Sequence, residues 1–299
     1  MEALVALDQF RFLTNLQVAE LLFLGLPSST GAVPADVTAR DRSNRKCLLR
    51  LKDNGLIERL KVFHTHRVTG AFYQDAVNIL TRAGAQLVQE HYDAAGSGQR
   101  VRWRPDLKRL TNATLDHELA INDLAIAAHR ACWERRWELH DWHDDDLLAR
   151  RTTAFDGFIP DGFGVVDTGT RLVPVFVEID RGTETVASPS GSTKDWRTKI
   201  ERYLGYLNHR FRDDPLLATL GYRPATLDRP LVLTVTTSET RLENMLAATA
   251  AVGGDHRFLF TTGPAIFGER GRFWAPVWRS PEQVAAVSLG DLLAFGTNL

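Results

Sequence analysis

Apolar residues recur at helical spacing through the first third of the chain, broken by two strand-like runs, and the pattern changes after residue 115. "EALVALDQFRFL" is a short amphipathic segment, and "TNLQVAELLF" restarts the pattern with Thr14 as N-cap and Leu16, Ala19, Leu22 and Phe23 on one side. A Gly/Pro/Ser loop, "GLPSSTGAVPAD", leads into a basic helix, "TARDRSNRKCLLRLKDNG", stopped by Asn54-Gly55. "LIERLKVF" and "FYQDAVNIL" read as strands around a turn, "HTHRVTGA", and "TRAGAQLVQEH" closes with a helix. Helix, helix, helix, hairpin, helix is the order of a winged helix-turn-helix.

"AAGSGQRVRWRPDLKRL" then reads as a flexible break followed by a basic stretch with one Trp, which is either a solvated linker or a contact for a phosphate backbone. "LDHELAINDLAIAAHRACWERR" is apolar nearly all round and predicts a buried helix. "WELHDW", "FIPDGFGVV" and "RLVPVFVEID" are strand-like, the last two joined by "DTGTR". "STKDWRTKIERYLGYLNHRF" is a long helix, with Ser192 and Asp195 at capping-box spacing. "PLVLTVTT", "SETRLENMLAATAAV" and "HRFLFTT" add strand, helix, strand. The pattern predicts an α/β (α+β) chain: a winged helix-turn-helix over 1–95, a linker over 96–112, and a mixed sheet with packed helices over 113–299.

Composition narrows the field without choosing a function. The 299 residues are 44% apolar and 24% charged, ordinary for a globular protein, with a net charge of -1. Any nucleic-acid partner must therefore meet a local patch. Cys47 and Cys132 form no C-x-x-C pair, which argues against structural zinc and disulfides and fits a reducing cytoplasm. No basic leader and no apolar run of about 18 residues is seen, so a cytoplasmic protein without a membrane partner is expected.

The local patch exists. From Arg40 to Arg67 there are nine Lys/Arg against three Asp/Glu. On a helical wheel Cys47, Leu48 and Leu51 fall on one side, and Arg42, Arg45, Lys46, Arg50 and Lys52 on the other. His66 and Arg67 sit at the expected wing tip. A basic helix with a basic hairpin suits double-stranded DNA read in the major groove; the alternative is a solvated face on a domain that binds protein.

Chemistry gathers around "IPDGF" and "VFVEIDRGTE". Asp161 opens one strand, and Glu178 ends the next, with Asp180 two residues on and so predicted on the same face. This resembles the PD-(D/E)XK nuclease superfamily, whose core is helix, three antiparallel strands, helix, strand. The resemblance implies that Asp161 and Glu178 hold Mg²⁺, with Mn²⁺ as a substitute, and that a lysine activates water. That lysine is expected at position 180, where this chain has Asp. Lys199, flanking the stripe of Trp196, Ile200, Tyr203, Leu204, Leu207 and Phe211, is the replacement candidate, with Asp180 assisting. Lys194 is predicted to point to water. Glu118, beside His117, is a candidate further acid. The alternative is a charged strand end in which Arg181 pairs with Glu178 or Asp180.

Two other clusters read as structural. "HDWHDDD" lacks the spacing of a zinc site and suits a strand end. "AIFGERGRFWAPVWRS" reads as a hairpin burying Phe273, Trp274 and Trp278 rather than a platform for single-stranded bases.

The order of "LDQFRFLTNLQVAELLF", "LLRLKDNGLIER", "ILTRAGAQLV", "LDHELAINDL", "IPDGFGV", "VFVEIDRGTET" and "KIERYLGY" resembles the replication-relaxation family of bacterial plasmids and mobile elements. The resemblance implies a DNA-binding protein of plasmid replication, mobilisation or its regulation, with replication or mobilisation proteins and a second copy of the chain as prospective partners. It leaves two functions open: a Mg²⁺-dependent endodeoxyribonuclease, or a transcriptional regulator whose nuclease-like domain serves dimerisation or partner binding. A protein-interaction adaptor at a replication complex is a third.

Overall fold

The computed structural model describes residues 1–23, 37–65, 72–104, 111–151, 158–182, 185–186, 195–267, 272–283 and 285–295. The chain forms two compact units, the first ending at Ile126 and the second starting at Ala127.

The first unit runs α1 (Glu2–Phe10), β1 (Phe12–Thr14), α2 (Asn15–Phe23), α3 (Val37–Asp53), β2 (Ile57–Thr65), β3 (Phe72–Leu80) and α4 (Arg82–Ala94). Its antiparallel sheet has the order β1-β3-β2. Three helices, a hairpin and a further helix follow one another as the sequence pattern predicts, plus a strand that the pattern runs into the first helix. Arg11, at φ 62°, ends α1, and Phe12 to Thr14 then pair with β3 as a fully buried strand. Thr14 ends that strand and starts α2. Its hydroxyl accepts from the Gln17 N–H (3.1 Å) while Gln17 Oε1 accepts from the Thr14 N–H (2.9 Å), a reciprocal capping box. Asn44, 1% exposed, ties α3 to the start of α2 by donating to the Asn15 carbonyl (2.7 Å).

Residues 97–104 are not a free linker. Asp8, buried in α1, accepts from the Arg102 N–H (2.8 Å) and from the Tyr92 hydroxyl of α4 (3.0 Å). Gln89 donates to the Gln99 carbonyl and accepts from the Val101 N–H, both at 3.1 Å. The ribbon is thus sewn onto α1 and α4. The unit boundary also moves: the sequence places it at 113, but the first half of α5 (Asn112–Glu134) belongs to the first unit. Leu115 and Leu119 complete the core of Phe12, Val62, Val77 and Ile79. Asn122 donates to the carbonyls of Phe10 (3.1 Å) and Phe12 (2.7 Å), and Arg11 forms a buried ion pair with Glu118. Each of these satisfies a polar group that burial would otherwise leave costly. Glu118 is therefore paired with Arg11 in the first unit.

The second unit continues with β4 (Glu138–Asp144), α6 (Asp145–Arg151), β5 (Gly162–Asp167), β6 (Leu172–Ile179), α7 (Trp196–His209), α8 (Pro215–Thr219), β7 (Leu231–Thr236), α9 (Glu239–Ala251), β8 (Phe258–Thr262), α10 (Gly263–Phe267), β9 (Pro276–Trp278), β10 (Val287–Ser288) and α11 (Leu289–Phe295). Five strands form one sheet in the order β4-β5-β6-β7-β8. β4, β5 and β6 make an antiparallel meander; β7 and β8 are added in parallel through the crossover helices α7 and α9. Helix, three antiparallel strands, helix, strand is the core order of the PD-(D/E)XK resemblance. Phe163, Val165, Phe176, Val232, Phe258 and Phe260 on one sheet face pack against Trp196, Ile200 and Tyr203 of α7 and Leu242, Met245 and Leu246 of α9. β5 lies close to β4 because Gly162 and Gly164 lack side chains: a Cβ on Gly162 would meet the Trp142 ring at 2.8 Å. Phe273, Trp274 and Trp278 are buried, as the sequence predicts.

Replacing Arg11 by Ala leaves the Glu118 carboxylate buried without its guanidinium. It should cost about 3–5 kcal/mol, seen as a lower urea midpoint. Arg11→Met with Glu118→Leu should recover most of that loss. A wild-type midpoint for Arg11→Ala would show that the pair is not structural.

Candidate active site and nucleic-acid face

The apolar run "LVPVFVEI" makes β6 a strand buried on both faces, and its alternation places Glu178 on the side of Phe176. Phe176 packs its ring 6.0 Å from that of Tyr203 and 5.8 Å from that of Tyr206, so this side faces α7. Glu178 is 1% exposed. α7 starts at Asp195, whose side chain accepts from the Thr198 N–H (2.9 Å). Asp195 is thus itself the N-cap rather than the third residue of a box, and Ser192 and Lys194 lie outside the described residues. From that start, Lys199 and Tyr203 stand one turn apart on the face turned to the sheet. Lys199 Nζ donates to Glu178 Oε2 and the Tyr203 hydroxyl donates to Glu178 Oε1, both at 2.6 Å. Asp161, just before β5, accepts from the Ile179 N–H (2.7 Å), which brings the "PD" carboxylate to the end of the Glu178 strand.

Burial pushes the Glu178 carboxyl up to about 7; the Lys199 ammonium and the Tyr203 hydroxyl pull it down, and the Asp161 carboxylate pushes it up. The Tyr203 hydroxyl is held well above its ordinary value by burial and by Glu178. The structure thus brings Asp161, Glu178 and Lys199 together, and adds Tyr203, which the sequence pattern shows only as a member of an apolar stripe.

Asp180 goes elsewhere. It follows the end of β6, and its carboxylate takes both Nε and Nη2 of Arg241 on α9, the latter at 2.6 Å, with the Thr236 hydroxyl at 2.5 Å and the Gly182 N–H at 3.2 Å. Burial, Lys199, Asp161 and Tyr203 set the charge state of Glu178. Asp180 reaches Arg241 of α9 and Thr236 of β7, because a bidentate guanidinium captures its carboxylate. Nothing in the local sequence around "EIDRG" points to Arg241, which arrives from another helix.

Asp144 ends β4 and caps α6, accepting from the Leu147 N–H at 3.0 Å, so "HDWHDDD" is a strand end and helix start. Among the described residues no group of three or more His, Cys, Asp or Glu side chains is placed to hold a metal ion. In the first unit Arg42, Arg45, Lys46, Arg50 and Lys52 are all exposed on α3. His66 and Arg67 lie outside the described residues.

The sequence profile of the replication-relaxation family matches residues 4–215. The chain belongs to the replication-relaxation family. The matched stretch of this replication-relaxation protein spans the first unit, the meander and α7, and so takes in Asp161, Glu178, Asp180, Lys199 and Tyr203; Arg241 lies beyond it. Membership fits a DNA-related role. No curated protein matches the chain. A solved structure of the restriction endonuclease FokI bound to DNA is similar over 91% of this chain and 68% of that one, at 11% identity and a TM-score of 0.27. Among the described residues no helix is long and apolar enough to cross a membrane.

Two outcomes follow from Glu178. Its raised folded-state pKa means that the folded chain holds a proton the unfolded chain releases between about pH 4.5 and about 7. This stabilisation is present below that window and is lost as pH rises through about 7, so the urea midpoint should fall from pH 5 to pH 7.5. Glu178→Gln should flatten that slope; an unchanged slope would remove Glu178 as its source. Tyr203→Phe takes a donor from the buried carboxylate and should cost about 1.5–3 kcal/mol in the same measurement at pH 7.5, and less at pH 5.

Proposed function

We propose that the protein binds double-stranded DNA through α3 and hydrolyses phosphodiester bonds with Mg²⁺, or Mn²⁺ in its place, at Asp161, Glu178 and Lys199. One observation carries this reading: a lysine from α7 reaches the β6 carboxylate, beside a second carboxylate, on a sheet whose PD-(D/E)XK-type core expects that lysine on the strand itself. The donor set fits the ion. Asp161 and Glu178 offer hard anionic oxygens close enough to feel each other's charge, and no soft ligand is involved. A divalent cation held there supplies charge stabilisation at a phosphate and a more acidic water.

The chain's own groups do the rest. Tyr203 fixes one oxygen of Glu178, and so the orientation of the carboxylate. Lys199, its side chain 20% exposed, carries positive charge from solvent to the buried acid, where it steadies an incoming phosphate or orients a water. Arg241 is a positioning residue: by holding Asp180 it fixes the end of β6. The exposed cations of α3 bring the duplex, by contacts that make affinity fall steeply with salt. Family membership supports a setting in replication or mobilisation of a plasmid or other mobile element, in the cytoplasm, alongside proteins of that process.

A second reading is favoured by a specific observation. Both oxygens of Glu178 already carry a strong hydrogen bond, and Asp180 is closed by Arg241. That is also how a nuclease fold kept for dimerisation or partner binding would neutralise its old acids, leaving a DNA-binding regulator.

Incubating supercoiled plasmid with the purified protein and Mg²⁺ or Mn²⁺ separates the two. Nicking or linearisation is expected, with Glu178→Ala and Asp161→Ala at least 100-fold slower, and Lys199→Ala at least tenfold slower, in line with ~10²–10⁴-fold effects of removing acid–base groups. Retardation of DNA on a gel with no cutting by any form of the protein would select the regulator.

A further inference from the structure

Leu49 stands out on the helix that this reading lays on DNA. Asn44 and Leu48, each 1% exposed, fix the inward side of α3, and Cys47 and Leu51 flank them, half-buried. Taking these four together as the inward side, at 3.6 residues per turn Arg42, Lys46, Leu49 and Asp53 fall within about 30° of the line that points straight outward. Arg45 and Lys52 border that line on one side, Ser43 and Arg50 on the other. Every described exposed side chain of α3 is polar or charged except Leu49, which is 45% exposed. A face shaped only for solvation, or only for phosphates, gains nothing from a leucine at its centre. The centre of the outward face is the part of a recognition helix that meets base edges, while the bordering cations reach the strands on either side.

The base edges of the major groove carry one apolar group, the 5-methyl of thymine. We infer that Leu49 is a specificity-determining residue that packs on a pyrimidine 5-methyl group, so that the bound duplex carries thymine at the position beneath the middle of α3. The inference rests on the proposal that α3 binds duplex DNA. It commits Leu49 to that groove because Arg45, Lys46, Arg50 and Lys52 border the leucine, with Asp53 as the one acid near it; such a face suits phosphate and opposes the approach of an equally cationic second copy.

The test is binding-site selection from a random duplex library with the full-length protein, followed by replacement of each thymine in the selected site by deoxyuridine, which removes only the methyl group. Loss of one buried methyl should weaken binding about fourfold at one or two thymines of the selected site. Leu49→Ala should bind the thymine and deoxyuridine duplexes alike while keeping the salt dependence of the wild type. Leu49 is solvent-facing, so this substitution leaves the fold intact, and an unchanged urea midpoint would verify that. Tolerance of deoxyuridine at every position, or a penalty that persists in Leu49→Ala, would overturn the inference. The same holds for selection of no preferred sequence. Arg45→Ala with Lys46→Ala tells the two layers apart. Weaker binding with a flatter salt dependence keeps α3 as the DNA-binding helix whatever Leu49 does. Wild-type binding by that double variant would remove α3 from the DNA and the inference with it.

Discussion

Burying Glu178 between a sheet and a helix imposes a demand that the rest of the second unit answers. A carboxylate among phenylalanine and tyrosine rings has lost its water, and an ionised acid there needs a cation and hydrogen-bond donors at short range. α7 supplies both from positions one turn apart, so the register of that helix against β6 is tied to the acid. A buried ion pair of this kind is weak support for stability, because an apolar pair of the same volume would serve as well or better. The pair is therefore better understood through what a half-neutralised acid and a partly exposed lysine do in chemistry than through what they add to folding.

Similar bargains between remote residues recur in both units. Asp180 is answered by Arg241, Asp214 by the Tyr206 hydroxyl at 2.6 Å, and Arg11 by Glu118. In each case one partner sits near the end of an element, where the backbone changes direction, and the other comes from a different element. The near-neutral net charge of the chain hides a local excess of cations: Arg42, Arg45, Lys46, Arg50 and Lys52 are all exposed on α3.

The alternation and spacing of apolar residues carried the main element order of both units and a mixed sheet with packed helices, because burial of one face is recorded in periodicity. Thr14 as an N-cap was legible too, since its chemistry is local. What stayed illegible was long-range or short. β1 has three residues, too few for a period, and exists because β3 offers an edge and Arg11 turns the chain. Tyr203 looked like core because its ring is core; only its hydroxyl reaches the acid. Arg241 and the docking of residues 97–104 depend on partners far away in sequence, and the glycines and arginines of that ribbon look like those of any solvated linker.

The Asn122 side chain and the Leu115–Leu119 pair have a consequence for how the protein is made. The end of α1 and the start of β1 keep the Phe10 and Phe12 carbonyls, and the Phe12 core contacts, waiting for residues more than a hundred positions later. During synthesis the chain emerges from its N-terminus, so the segment from α1 to α4 is complete in sequence well before it is complete in structure. Contacts of such long separation slow folding, since the loop must close before they form. A fragment cut at residue 95 would present Arg11 and the β1 edge to the solvent, and to any chaperone or second chain nearby. The natural minimal folding unit of the N-terminal half of this protein therefore extends through the first half of α5.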